Sequence, residues 1–343
     1  MPSAPSLLIE VKNLKTYFHL VEGTARAVDG VDLTLRRGQT LGVVGESGCG
    51  KSVTALSILR IVPSPGRIEG GEILYRRSSR GNGAGNEVID LAKLSAAGKE
   101  IRSIRGNDIS MIFQEPMTAF SPVLTVGQQI TEAITLHQHV GKVEARRIGI
   151  DMLARVKMPK PQGTFDDYPF QLSGGMRQRA IIAMALCCHP SLLIADEPTT
   201  ALDVTTEAQI LELLKELQGD LGMAIMYITH NLGVIAEMAQ EVAVMYMGKV
   251  VEQASVETIF YNAKHPYTRG LLRSVPKLGS RAQGRLDTIP GMVPDPYAAL
   301  GGCRFHPRCG ERIERVCDQK EPTVSEVEPG HTVQCHLYDR GGG

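Results

Sequence analysis

The segment "GESGCGKS", Gly45 to Ser52, sets three glycines, a lysine and a hydroxyl in the spacing G-x-x-x-x-G-K-[ST]. Gly45, Gly48 and Gly50 allow the tight turns that aim successive backbone N–H groups, those of Glu46, Ser47 and Cys49 included, at phosphate oxygens. A helix starting after them would add its partial positive charge. Lys51 is then placed to reach the β- and γ-phosphates of a nucleotide, and the Ser52 hydroxyl to ligate Mg²⁺. A second element, "LLIADE", Leu192 to Glu197, ends an apolar run with two adjacent carboxylates. Asp196 suits Mg²⁺, directly or through water, and Glu197 suits the orientation of an attacking water. In a third, "QLSGGMRQRA", Ser173, Gly174 and Gly175 open a helix and make a second anion-binding helix terminus. A chance glycine turn or a solvated strand end would explain any one of these. The three together fit phosphate chemistry on a nucleotide.

A different chemistry gathers near residue 343. Cys303, Cys309, Cys317 and Cys335 follow the spacing C-x5-C-x7-C-x17-C, whereas Cys49, Cys187 and Cys188 lie elsewhere. Four thiolates suffice for a tetrahedral zinc or an iron–sulfur cluster. The C-x2-C pairs typical of structural zinc are missing, and wide spacing suits a larger object approached from separate turns. The expectation is one metal centre, in which His306, His331 or His336 could replace a cysteine. A tail this small and this rich in Gly and Pro would draw folding free energy from the metal.

The elements needed to position these groups are also legible. "SLLIEVKNLKTYF", "AVDGVDLTL" and "TLGVVGE" read as strands, the last apolar enough to be buried on both faces. A helix should start near Lys51. "RRSSRGNGAGNE" (76–87) reads as an exposed loop. From about 125 to 190 the pattern is helical, interrupted by "KMPKPQGTFDDYP". "SLLIADEP" and "MAIMYITHN" are again buried strands, and "TTEAQILELLKELQGDLG" between them is an amphipathic helix ending at glycine. This alternation predicts an α/β core. The composition shifts after about residue 260, which suggests a domain boundary.

Bulk properties narrow the function. Lys and Arg number 37, as do Asp and Glu, an even balance that argues against nucleic-acid binding. No apolar run approaches the ~20 residues needed to span a bilayer. "MPSAPSLLIEVKNLK" lacks the basic and apolar regions of a signal peptide, so a cytoplasmic location is expected. Structural disulfides are not expected there.

With these motifs in this order the chain resembles the ATP-binding-cassette (ABC) ATPases, whose signature reads LSGGQ; Met176 stands here where glutamine is usual. The resemblance implies a P-loop NTPase cassette over residues 1–260: a RecA-like core, an antiparallel β subdomain and a helical subdomain at about 116–188. Residues 261–343 would be a C-terminal extension carrying the cysteines. It also implies roles. Gln114, in "MIFQEPM", would sense Mg²⁺ with Ser52 and Asp196. Asp203, ending "ALD", would lie at a dimer interface, and His230 would contact the γ-phosphate. Adenine would stack on Phe18, with Tyr17 as the alternative. ATP would lie between the phosphate loop of one subunit and Ser173, Gly174 and Gly175 of another.

Within the family, "MIFQEPMTAFSPVLTVGQQI", "LSGGMRQR", "PTTALDVTTEAQI", "HPYTRGLL" (265–272) and "IPGMVPDP" (289–296) are similar to the ATPases of oligopeptide and dipeptide importers. That group also imports nickel, glutathione and oligosaccharides, and non-transport cassette ATPases are the other alternative. The resemblance implies a second, non-identical ATPase, two membrane permeases and an extracytoplasmic binding protein as partners, and a peripheral location on the cytoplasmic face of the membrane. Some of these ATPases carry an iron–sulfur cluster in this region, which places [4Fe–4S] ahead of zinc for Cys303, Cys309, Cys317 and Cys335. "HPYTRGLL" itself reads as a helix packing the tail onto the cassette rather than as a catalytic His–Tyr pair.

Overall fold

The computed structural model describes residues 6–78, 86–114, 119–200, 202–274, 289–295, 297 and 300–339. Most of the loop expected at 76–87 and four residues of the "MIFQEPM" segment and its successor (115–118) lie outside them. The chain forms two compact units, Met1–Leu8 with Leu35–Gln39 and Leu94–Tyr227, and Ile9–Thr34 with Thr40–Lys93 and Ile228–Gly343. Among the described residues no helix is long and apolar enough to cross a membrane.

In the second unit an antiparallel sheet runs in the order β2-β1-β4-β5, from β1 (Leu7–Leu20), β2 (Gly23–Arg36), β4 (Gly66–Ser78) and β5 (Asn86–Asp90). Beside it stands β3 (Thr40–Val44), all five residues buried, as its unbroken apolar run requires. β3 pairs in parallel with β9 (Glu241–Tyr246), Leu41 opposite Glu241 through Val44 opposite Val244. β9 turns back into β10 (Lys249–Ser255) through Met247 and Gly248, at φ 43° and 78°. Two positive φ values in a two-residue turn match the right-handed twist of a hairpin.

The region past residue 261 adds to this unit. β12 (His331–Gln334) pairs with β10, Glu252 facing Val333, and β11 (Val324–Glu328) pairs with β12. The helix Pro266–Arg273 buries Tyr267, whose ring lies 4.7 Å from Tyr246 and 5.4 Å from Phe305, centroid to centroid. Offset aromatic contacts of this kind add to ordinary burial. Next to them Glu252, 1% exposed, accepts the amides of Lys264 and His265 and meets His331 Nε2 at 2.8 Å.

In the first unit β6 (Ile109–Ile112) pairs in parallel with β7 (Leu192–Asp196), Ile109 opposite Leu192, and β8 (Ala224–Thr229) follows β7. The helical stretch comprises Val126–Gln138, Lys142–Arg155, Pro161–Asp166 and Gly174–Leu186. The expected interruption at 157–169 thus contains a short helix of its own. Its Phe165 sits where a Cβ at Gly127 would come within 2.0 Å of the ring, and one at Gly149 within 2.7 Å. Two glycines make the space, and Arg146 closes it, stacking on Phe165 and pairing with Asp166.

His265 supplies a test of this packing. Burial, with the Arg269 charge nearby, pushes its pKa from 6.5 to about 3, so the folded imidazole is neutral while the unfolded one protonates near 6.5. Unfolding therefore takes up a proton between these values. The His265 contribution to stability should be flat above pH 6.5 and fall towards pH 3, by up to about 1.4 kcal/mol per pH unit. Denaturant midpoints across that range check it, and H265Q should remove this contribution to the slope.

Candidate nucleotide site

The phosphate loop starts where β3 ends, and the helix Lys51–Ile58 starts where it stops, at the expected residue. Gly45, Gly48 and Gly50 have φ of 152°, 77° and 101°. Two of these glycines are also sterically required. A Cβ at Gly45 would lie 2.2 Å from the Met245 carbonyl oxygen, and one at Gly50 would lie 2.2 Å from that of Ala27. No side chain caps the helix, whose first amides therefore remain for a ligand. Lys51 Nζ donates to the carbonyls of Gly45 (2.7 Å) and Glu46 (3.1 Å). The β9–β10 turn props the loop from below: Gly248 N–H donates to Cys49 O, and Asp29 N–H donates to Gly248 O. Cys49 is buried; burial pushes its thiol up against the opposing pull of Lys51.

The extension reaches the same loop. The Glu46 amide donates to the Tyr267 hydroxyl at 2.9 Å. Arg308 forks onto the Glu46 carboxylate at 2.7 and 3.1 Å. Arg304 pairs with Asp29 and donates to Met247 O. Burial by itself would raise the Asp29 carboxyl, but the Tyr17 hydroxyl and the Arg304 guanidinium outweigh it and hold the group below its usual range. A cavity of about 440 Å³ opens beside the loop, lined by Ser47, Gly48, Arg26, Ala27, Tyr297 and Arg304 among others. Sequence reasoning missed Tyr267, Arg304 and Arg308: none belongs to a periodic pattern, and the cysteines around the two arginines drew attention to metal instead.

The two candidate adenine platforms part company. Adjacent positions on a strand face opposite ways. The Phe18 ring packs where a Cβ on Gly66 would meet it at 2.6 Å. Tyr17 donates its hydroxyl to Asp29 and lies 5.8 Å from the Arg26 guanidinium.

In the first unit β7 ends at Asp196, 3% exposed. Glu197 follows in the left-handed region at φ 46°, a strained conformation for a non-glycine residue that clusters at functional sites. Its Oε2 accepts from Gln114 Nε2 and from Thr200 Oγ1, both at 3.2 Å. Gln114 and Glu197 are thus brought together. Ser173 caps the helix Gly174–Leu186 through the Met176 amide, and Gly175 lies so close to Thr206 that a Cβ would fall 2.9 Å from its methyl. Asp203 caps the helix Val204–Leu221 through Thr206, and those hydrogen bonds hold its carboxyl below the usual range. His230, in the second unit, is exposed just past the end of β8.

The expected metal centre in the tail is not supported. Among the described residues no group of three or more His, Cys, Asp or Glu side chains is arranged to hold a metal ion, neither cluster nor zinc. Burial pushes the Cys303 thiol up to about 11 and that of Cys335 to about 12, and raises Cys309 as well. Cys317 accepts the Ile313 amide at 3.3 Å. The candidate histidines are engaged elsewhere: His306 Nδ1 donates to Cys303 O, His331 meets Glu252, and His336 donates to Lys320 O and meets Asp339.

Comparison with known proteins bears on this arrangement. The family described as ABC transporter matches residues 28–200, and that described as Oligopeptide/dipeptide transporter, C-terminal region, matches 251–317. A probable peptide ABC transporter ATP-binding protein of Sinorhizobium fredii is 49% identical over 96% of this chain and 94% of its own length. The dipeptide transport ATP-binding protein DppD of Bacillus subtilis is 47% identical over 97% and 95%. Among solved structures, a dimeric post-hydrolysis state of the ATP-binding cassette MJ0796, bound to ADP and phosphate, is 25% identical with a TM-score of 0.62, covering 73% of this chain and 99% of that one. The expected α/β cassette is thereby met.

Gly50→Ala tests the geometry. A side chain there meets the Ala27 carbonyl in a conformation costing about 1–3 kcal/mol. Titration with ATP should show affinity reduced by roughly ten-fold or more, with helix content by circular dichroism unchanged.

Proposed function

The chain belongs to the ABC transporter family and is an ATP-binding-cassette ATPase, and we propose that it is the motor subunit of an importer of di- and oligopeptides. The observation that carries this reading is the phosphate loop held open in the same unit as an extension of the oligopeptide/dipeptide transporter type. Relatives named for peptide, oligopeptide and dipeptide transport match nearly the whole chain. Residues 1–260 act as the cassette and 261–343 as the extension.

In this reading the loop from Gly45 to Ser52, through amides other than that of Glu46, which Tyr267 holds, and the Lys51 ammonium hold the β- and γ-phosphates. Lys51 gives up its carbonyl partners to do so. Ser52, Gln114 and Asp196 have the oxygen donors that a hard cation requires, and bound Mg²⁺ supplies neutralising charge at the phosphates. Glu197 orients a water and takes its proton as the water oxygen attacks the γ-phosphorus. The bond to the β–γ bridging oxygen breaks, leaving ADP and phosphate. His230 contacts the γ-phosphate. A Tyr17 or Phe18 ring stacks on adenine. Ser173, Gly174 and Gly175 meet the nucleotide of a second, non-identical ATPase, with Asp203 at the interface between them. Closure and release of that pair drives two permeases fed by an extracytoplasmic binding protein, from the cytoplasmic face of the membrane.

Glu197→Gln should keep ATP affinity while hydrolysis falls roughly 10²-fold or more, since the carboxylate acts on water and not on nucleotide. Lys51→Ala should weaken ATP binding itself. Equilibrium binding and phosphate release measured on both variants separate the two roles. Full turnover in Glu197→Gln would exclude this assignment. The heterodimer is checked by reconstituting transport with this chain as sole ATPase, which should fail.

A further inference from the structure

The extension delivers one cation into the phosphate loop. The Arg308 side chain is 4% exposed and that of Glu46 28%, so the arginine is the deeper partner of the pair. Its fork is fixed from behind: Nε donates to the Pro290 carbonyl at 3.1 Å, and the guanidinium lies 5.8 Å from the Tyr246 ring centroid. Glu46 occupies a variable position of the loop, yet its carboxylate is a negative charge within the segment that must accept a polyanion. Lys51 is engaged there with the Glu46 main-chain oxygen, which leaves the neutralisation of the side chain to Arg308.

We propose that Arg308 is a positioning residue for the triphosphate: it neutralises the Glu46 carboxylate inside the phosphate loop and turns it away from the incoming phosphates, so that nucleotide affinity depends on a residue of the C-terminal extension. The inference rests on the loop's role as the ATP site. An unpaired carboxylate beside the loop would repel phosphate over a few ångströms, in a partly buried setting where screening is weak. Tyr267 acts alongside it on the main chain, holding the Glu46 amide that starts the loop.

The test is a charge cycle in the full-length chain. It is read as the Kd for Mg-ATP by calorimetry and as the split between KM and kcat in hydrolysis. R308A should raise Kd and KM roughly ten-fold with kcat little changed, because Glu197 and the water it orients are untouched. R308K, which keeps the charge, should stay within about three-fold of wild type, and the double variant E46Q/R308A should recover to a similar level. If Arg308 merely held the tail in place, the double variant would bind ATP as poorly as R308A; that result, or wild-type affinity in R308A, overturns the proposal. Should R308A fail to fold, E46Q alone decides: affinity equal to or above wild type is expected, and a several-fold loss overturns it. Absence of ATP binding in the wild-type chain would instead overturn the ATPase reading on which the proposal stands.

Discussion

A phosphate loop works by turning successive backbone amides towards one ligand, and a backbone in that conformation has to be held in shape from outside. Several other polar groups of Gly45 to Ser52 are accordingly tied down. Lys51 bonds the carbonyls of Gly45 and Glu46. The Cys49 carbonyl accepts from Gly248 at the β9–β10 turn. The Glu46 amide and carboxylate go to Tyr267 and Arg308. The supports come from segments up to 262 residues away in sequence. Closing such long loops is entropically costly, and the buried aromatic cluster of Tyr246, Tyr267 and Phe305 provides the apolar burial that offsets the cost. In this unit the region past residue 261 is therefore part of the loop's scaffold. It adds a strand to β10 and two side chains to the loop.

The parts of the site that the ligand's chemistry dictates locally were legible in the sequence. Phosphate demands glycines, a lysine and a hydroxyl at fixed offsets, and the structure adds why Gly45 and Gly50 admit nothing larger: carbonyls of Met245 and Ala27 crowd them. The buried strands β3 and β7 were legible because a strand covered on both faces has no polar alternation. The supports were not. Arg308 and Tyr267 act singly, through contacts that no periodicity announces. Tyr17 and Phe18 were ambiguous for a related reason, since neighbouring strand positions look alike in sequence and face opposite ways in space. The cysteine spacing suggested a metal centre that the described residues do not support, and the histidines named as substitutes have carboxylate or carbonyl partners.

The first unit shows the complementary economy, with polar side chains serving local structure and chemistry together. Asp203 and Ser173 each cap a helix, which settles their backbone neighbours while leaving them at the surface. Glu197, left-handed at its backbone, accepts from Gln114 and Thr200, which orients the carboxylate that we propose acts on water.

The dependence of the phosphate loop on the extension is most directly read by amide hydrogen exchange in the nucleotide-free chain, comparing wild type with Tyr267→Phe. The hydroxyl of Tyr267 accepts the Glu46 amide, so its removal should speed exchange in the peptide covering residues 45–50 while β3 and the helix Lys51–Ile58 stay protected. Equal exchange in that peptide, with and without the hydroxyl, would contradict the account.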